Sequence, residues 1–187
     1  MRKEFVYSVM ALGAIPITVN AADVQQINSD VLASTDGSKV TYQVGKLVPG
    51  SYTFSAKLTS KGYGVQVKIA GKTANIASAN NPAEPNVTIG FKLDAETDVE
   101  LELVSTDPGE AGAGFTVAEA KVILNFDFAA IKSTLADNAD ALATTIGTYN
   151  YAAKQEDVDA AKALKTKANG IEETYDDYKK FILYAEK

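Results

Sequence analysis

Between residues 51 and 126 the chain alternates apolar and polar side chains with period two. From residue 128 the apolar side chains recur every three or four positions. No single repeating element accommodates both periods, so the chain must change architecture near residue 127. In 51–59, Tyr52, Phe54, Ala56 and Leu58 share one face. Val65, Val67 and Ile69 do so in 63–69, as do Val87, Ile89, Phe91 and Leu93 in 87–93, and Val99, Leu101 and Leu103 in 99–103. Val40, Tyr42 and Val44 give a shorter, earlier run. Strands of this kind bury one face and wet the other, which is the antiparallel pattern. The last run, 114–126, switches parity between Val117 and Ala120, and a β-bulge near Ala118-Glu119 reconciles its two halves. Thr35-Asp36-Gly37, Pro49-Gly50, Ala70-Gly71-Lys72 and Asp107-Pro108-Gly109 supply turn chemistry between the runs. Residues 22–126 therefore read as an antiparallel β-sandwich.

After residue 127, Phe128, Ile131, Leu135, Leu142, Ile146 and Tyr149 trace one helical seam. Val158, Ala161, Leu164, Ala168, Ile171, Tyr175, Tyr178, Ile182 and Ala185 trace a second after a turn around Asn150. The reading is α+β, mainly β: a sandwich followed by a two-helix antiparallel hairpin over 127–187. Gly170 is placed inside the second helix, where it costs about 1 kcal/mol relative to alanine. The apolar end, Phe181-Ile182-Leu183-Tyr184, has no stop signal, and the hairpin is expected to continue beyond Lys187.

The first residues read as an address. A basic start, Met1-Arg2-Lys3, precedes an apolar stretch over 5–19 interrupted by Pro16, and Val19-Asn20-Ala21 fits a signal-peptidase site. A signal peptide over 1–21 is expected, cut after Ala21. The exported chain then sits in the periplasm, at the bacterial cell surface or outside the cell, without membrane insertion after cleavage.

Composition narrows the chemistry. Histidine, cysteine and tryptophan are absent. That excludes Ser-His-Asp and Cys-His catalysis, Cys/His zinc sites and disulfides. A net charge of −6 argues against nucleic-acid binding. A carboxylate pair for glycoside hydrolysis needs a shared cleft. Yet Glu100 and Glu102 fall on a wet strand face, Asp94, Glu96 and Asp98 in or beside a turn, and Asp176 and Asp177 on a helix surface. The chain is therefore read as non-enzymatic.

A sugar site asks for an aromatic ring face beside amides and carboxylates. Tyr63 and Phe115 each open a strand, which places them at the sandwich rim. The long loops 78–86 and 106–114 offer Asn80, Asn81, Glu84, Asp107 and Glu110. Tyr63, Asn80, Asn81 and Phe115 are the candidate ligand-binding residues. The competing reading has both aromatics closing the end of the core. No spacing defines a metal site, and Asp107 and Glu110 are the side chains nearest to a calcium-ligand pattern.

The run Leu47-Val48-Pro49-Gly50-Ser51-Tyr52-Thr53-Phe54 is followed by Val65-Gln66-Val67-Lys68-Ile69-Ala70-Gly71. A long loop, an acidic turn at Leu93-Asp94-Ala95-Glu96-Thr97 and a closing strand over 115–124 complete the order. This order resembles the galactose-binding-like jelly roll of secreted bacterial carbohydrate-binding modules, over residues 22–126. The resemblance implies a sugar cleft at the loop ends and a structural calcium, with no other cofactor. Two functions follow. The first is a secreted, non-catalytic glycan-binding module whose helices space or dock it. The second is an adhesive cell-surface protein, in which the sandwich is a scaffold and the helices contact other proteins or oligomerise.

Overall fold

A computed structural model describes residues 21–149 and 155–185. The signal-peptide reading of 1–21, save Ala21, and the turn around Asn150 lie outside the described residues. The described chain divides into two compact units, a sandwich over Ala21–Phe126 and the helices that follow.

The sandwich has eight strands: β1 (Ala21–Gln26), β2 (Val40–Leu47), β3 (Gly50–Ser60), β4 (Val65–Ile69), β5 (Lys72–Ile76), β6 (Val87–Leu93), β7 (Thr97–Ser105) and β8 (Phe115–Asn125). They form two four-stranded sheets, β1-β8-β3-β6 and β2-β7-β4-β5. Every pairing is antiparallel. The period-two residues make the core. Tyr52, Phe54 and Leu58 from the first sheet and Val65, Val67, Leu101 and Leu103 from the second are buried. Tyr42 departs from the expected inward position. It is half-buried on edge strand β2, and its hydroxyl accepts a hydrogen bond from Gln25 Nε2 on edge strand β1 at 2.8 Å.

The expected bulge is present. Against β3, Lys57 pairs with Ala118 and Ser55 with Lys121, so β8 carries one extra residue there, and Glu119 has φ +52°. The extra residue flips the parity, which lets Phe115 and Val117 face the core with Ala120, Val122 and Leu124. The Glu119 carboxylate, pushed outward, pairs with Lys57 at 2.8 Å.

The β4–β5 hairpin turns on Ala70 and Gly71, with φ +45° and +73°. Two positive φ values mark a type I′ turn, in which asparagine suits the first position far better than alanine. Ala70→Asn is expected to raise stability by about 0.5–1 kcal/mol. A denaturant midpoint unchanged or lowered in the variant would count against this account of the turn.

The second unit holds three helices: α1 (Phe128–Tyr149), α2 (Gln155–Asn169) and α3 (Tyr175–Ala185). α1 and α2 form the expected antiparallel hairpin. Asp140 on α1 is ion-paired with Lys165 on α2, and Gly147 lies beside Val158. Ala136, Ala139 and Ala143 on α1 and Ala161 and Ala168 on α2 are buried. Their small side chains let two helices approach closely while burying little area per residue.

The second helix does not run through Gly170, and this corrects the two-helix reading. The Gly170 N–H donates to Thr166 O and the Ile171 N–H to Ala168 O, which closes α2. Glu173 then takes φ +65°. Thr174 restarts the chain as an N-cap: its hydroxyl oxygen accepts from the Asp177 N–H at 3.2 Å and its hydroxyl donates to the Asp177 carboxylate at 3.1 Å. Lys132 on α1 holds this corner, donating to Ile171 O at 3.0 Å and pairing with Glu173 at 3.1 Å. Among the described residues no helix is long and apolar enough to cross a membrane.

Candidate functional site

Four loops meet at one end of the sandwich, and each is held by its neighbours' backbone. The β3–β4 turn carries Tyr63. Just before it, Ser60 pairs both ways with Ala79: Ser60 N–H to Ala79 O at 2.7 Å and Ala79 N–H to Ser60 O at 3.0 Å. The Ser60 hydroxyl, buried, donates to the Tyr63 carbonyl. Two glycines let the other loops close on the turn. A side chain on Gly62 would start 3.1 Å from the Gly112 carbonyl oxygen, and one on Gly64 would start 3.0 Å from the Ile76 carbonyl oxygen. The Thr106 N–H donates to Gly64 O at 2.9 Å. The Tyr63 turn is thus clamped between the loop over 77–86 and the loop over 106–114, with Tyr63 half-buried.

The first of these loops is closed at its base by Asn86. Its amide accepts from the Leu58 N–H at 2.8 Å and donates to the Leu58 carbonyl at 2.9 Å, imitating a strand where β6 has ended. Asn80 and Asn81 are exposed, and Asn80 follows directly on the Ala79 that pairs with Ser60. Asn81 has φ +46°, a conformation asparagine tolerates better than most residues.

The second loop leans on residues 33–39. The Gly109 N–H donates to Asp36 O at 2.8 Å, and the Ser105 N–H to Gly37 O at 3.0 Å. The Asp36 carboxylate accepts from the Ser38 N–H at 2.9 Å and the Ser34 hydroxyl at 3.0 Å, and these bonds hold it below its ordinary range. Asp107 and Glu110 are exposed on the same loop. Asp107 takes the Thr106 hydroxyl at 2.9 Å. A calcium cage does not form here: among the described residues no three acidic side chains gather closely enough to hold a metal ion.

The structure therefore brings Tyr63, Asn80 and Asn81 to one rim and withdraws Phe115. Phe115 opens β8, pairs with Ser60 and Ser34, and is 2% exposed. Its ring closes the end of the core and offers no face to a ligand. The residues around it that sequence reasoning passed over are Asp36, Gly37, Gly62 and Thr106. Thr35-Asp36-Gly37 was legible as a turn, but nothing local said that this turn would brace a loop seventy residues downstream.

Glu100 and Glu102 lie on the outer face of the second sheet, where the alternation put them. Gln43 donates to Glu100, and Lys39 pairs with Glu102 at 3.1 Å. The Lys39 ammonium, as hydrogen-bond donor and charge, pulls the Glu102 carboxyl below its ordinary range. A glycosidic proton donor needs the opposite shift.

No protein-family model matches this sequence, and neither does any curated protein sequence. Among solved structures, the sandwich is similar to carbohydrate-binding modules. One is a sugar-binding protein described as the EclA C-terminal domain: 21% identity, 59% of this chain and 82% of that chain covered, TM-score 0.35. Another is a family 35 carbohydrate-binding module from Cellvibrio japonicus: 14% identity, 57% and 80% covered, TM-score 0.35. A family GH115 4-O-methyl-α-glucuronidase matches at 12% identity and TM-score 0.38 over 62% of this chain, which spans 19% of that enzyme.

Proposed function

We propose that this chain is a secreted, non-catalytic glycan-binding module, exported by the leader over residues 1–21, with its helices acting as a spacer or docking segment. What supports this reading is the rim: a half-buried tyrosine whose turn is clamped on both sides by loops carrying exposed amides and carboxylates. A saccharide ring stacks its apolar face on such an aromatic, and Asn80, Asn81, Asp107 and Glu110 supply partners for its hydroxyls. The clamping sets the loops before a ligand arrives, which lowers the ordering cost of binding. In the neighbours described as sugar-binding, the ligand class is the same as the one proposed here.

The test is a glycan-array screen of residues 22–187, with and without calcium, followed by titration of the best ligand. Tyr63→Ala is expected to weaken binding at least roughly tenfold, and an Asn80→Ala, Asn81→Ala double variant by a similar factor, with melting nearly unchanged because these residues sit outside the core. Silence across a broad array from folded protein would overturn the reading. So would binding that ignores all three substitutions.

A further inference from the structure

The α1–α2 hairpin leaves one apolar hollow uncovered. Leu135 and Leu142 on α1 face Ile171 and Leu164 at the α2 side, Ala139 and Ala168 form the floor, and the hollow measures about 560 Å³. Leu142 and Leu164 are 41% and 44% exposed, far above the core residues of either unit. On each side the two large residues are seven positions apart, which is two turns and about 10.5 Å along the axis. The hollow is therefore a short groove with two apolar layers, one of Leu135 and Ile171 and one of Leu142 and Leu164.

Its charge is one-sided. Lys167 is the only charged residue lining it, and Asn138 stands on the α1 wall. The exposed half of α2 from Ala160 to Asn169 carries Lys162, Lys165 and Lys167 and no acid, in a chain whose net charge is −6. Lys165 is taken by Asp140, but among the described residues neither Lys162 nor Lys167 forms an ion pair. The helix dipole favours a cation in the last turn, which accounts for Lys167 and not for Lys162.

We propose that this groove docks one amphipathic helix of a partner protein. The occupant carries aliphatic residues at i, i+3 or i+4, and i+7, flanked by carboxylates on the side that meets α2. Its stripe fills the two layers and completes a three-helix bundle, and its acids meet Lys167 and Lys162. A second copy of this chain fits worse. The α1 wall it would present offers Asn138, not a carboxylate, to Lys167. A bilayer surface fits worse again, because the apolar residues line a hollow between two helices and do not project from one. The inference does not depend on the glycan reading, since it uses none of the sandwich residues.

The test uses the whole protein from residue 22 and two synthetic, stapled helical peptides of about five turns, both with leucine at heptad positions a and d. One carries glutamate at the flanking e and g positions, the other lysine. Fluorescence anisotropy is expected to show the glutamate peptide binding at least roughly tenfold tighter than the lysine peptide, with the difference shrinking as salt is raised. Leu164→Gln is expected to lose that binding, and the Lys162→Glu, Lys167→Glu double variant to reverse the preference. All three substitutions are at exposed positions, and unchanged melting would show that the hairpin still folds. The proposal is overturned if neither peptide binds, or if binding ignores peptide charge or the Leu164 change. Self-association dissolved by Leu164→Gln would assign the groove to a second copy. Binding to phosphatidylglycerol-containing vesicles that is lost in the same variant, with no peptide binding, would assign it to a membrane.

Discussion

Tyr52→Ala is expected to cost the sandwich about 4–6 kcal/mol, enough to unfold most domains of this size at 37 °C. Tyr52 is fully buried, stacks on Phe91 with ring centroids 5.4 Å apart, and donates its hydroxyl to the Val48 carbonyl at 2.7 Å. The ring accounts for most of the cost, as truncating a buried aromatic leaves a cavity the core cannot close. The hydrogen bond accounts for about 1 kcal/mol, which is what Tyr52→Phe is expected to lose. Thermal melting of the β-sheet signal checks both. A loss in Tyr52→Phe as large as that in Tyr52→Ala would mean the bond to Val48, not the ring, secures the β2–β3 turn.

The second large effect is expected at the rim. Gly37 has φ +78°, and a side chain there would start 2.5 Å from Ser105 Cβ and 2.6 Å from the Ala113 carbonyl oxygen. Neither neighbour can yield easily, because Ser105 is paired to Gly37 through its N–H and Ala113 through its own to Glu110 O. Gly37→Ala therefore combines an unfavourable backbone conformation with overpacking, for a cost of about 2–4 kcal/mol. It is also expected to loosen residues 106–114, so that amide exchange there rises before the rest of the sandwich melts. Unchanged exchange in that loop would show that the 33–39 turn does not brace it.

What could be read from the chain and what could not divides along a physical line. The sandwich strands were legible because their inward residues recur with a fixed period and their neighbours are polar. Even the bulge at Glu119 announced itself, as a change of parity with no turn chemistry to explain it. β1 and β5 were missed. They are edge strands, and β5, Lys72–Ile76, buries too little of either face to show a pattern. The third helix was missed for a different reason. The apolar seam continues in phase across 164–178, which masked Gly170 and the Thr174-x-x-Asp177 cap. Here the local breaker outweighed the periodicity. At the candidate site, Tyr63, Asn80 and Asn81 follow from their position in loops. Phe115 does not, because whether an aromatic at the start of a strand lies outside or inside depends on what the neighbouring loops cover, and here 33–39 covers it.

The pairing of β1 with β8 has a consequence for how the molecule is made. The opening strand has its ladder partner in the closing one, Ala21 against Asn125, about 100 residues later. No early part of the sandwich can close its first sheet by itself as it emerges, because β8 also supplies the inner neighbour of β3. A chain threaded from its leader end thus stays slack until almost the whole sandwich has arrived, and then zips shut around its last strand. The same adjacency leaves the two ends of the unit side by side, so that a sandwich of this kind can be spliced into a longer polypeptide as a bead without prying its neighbours apart.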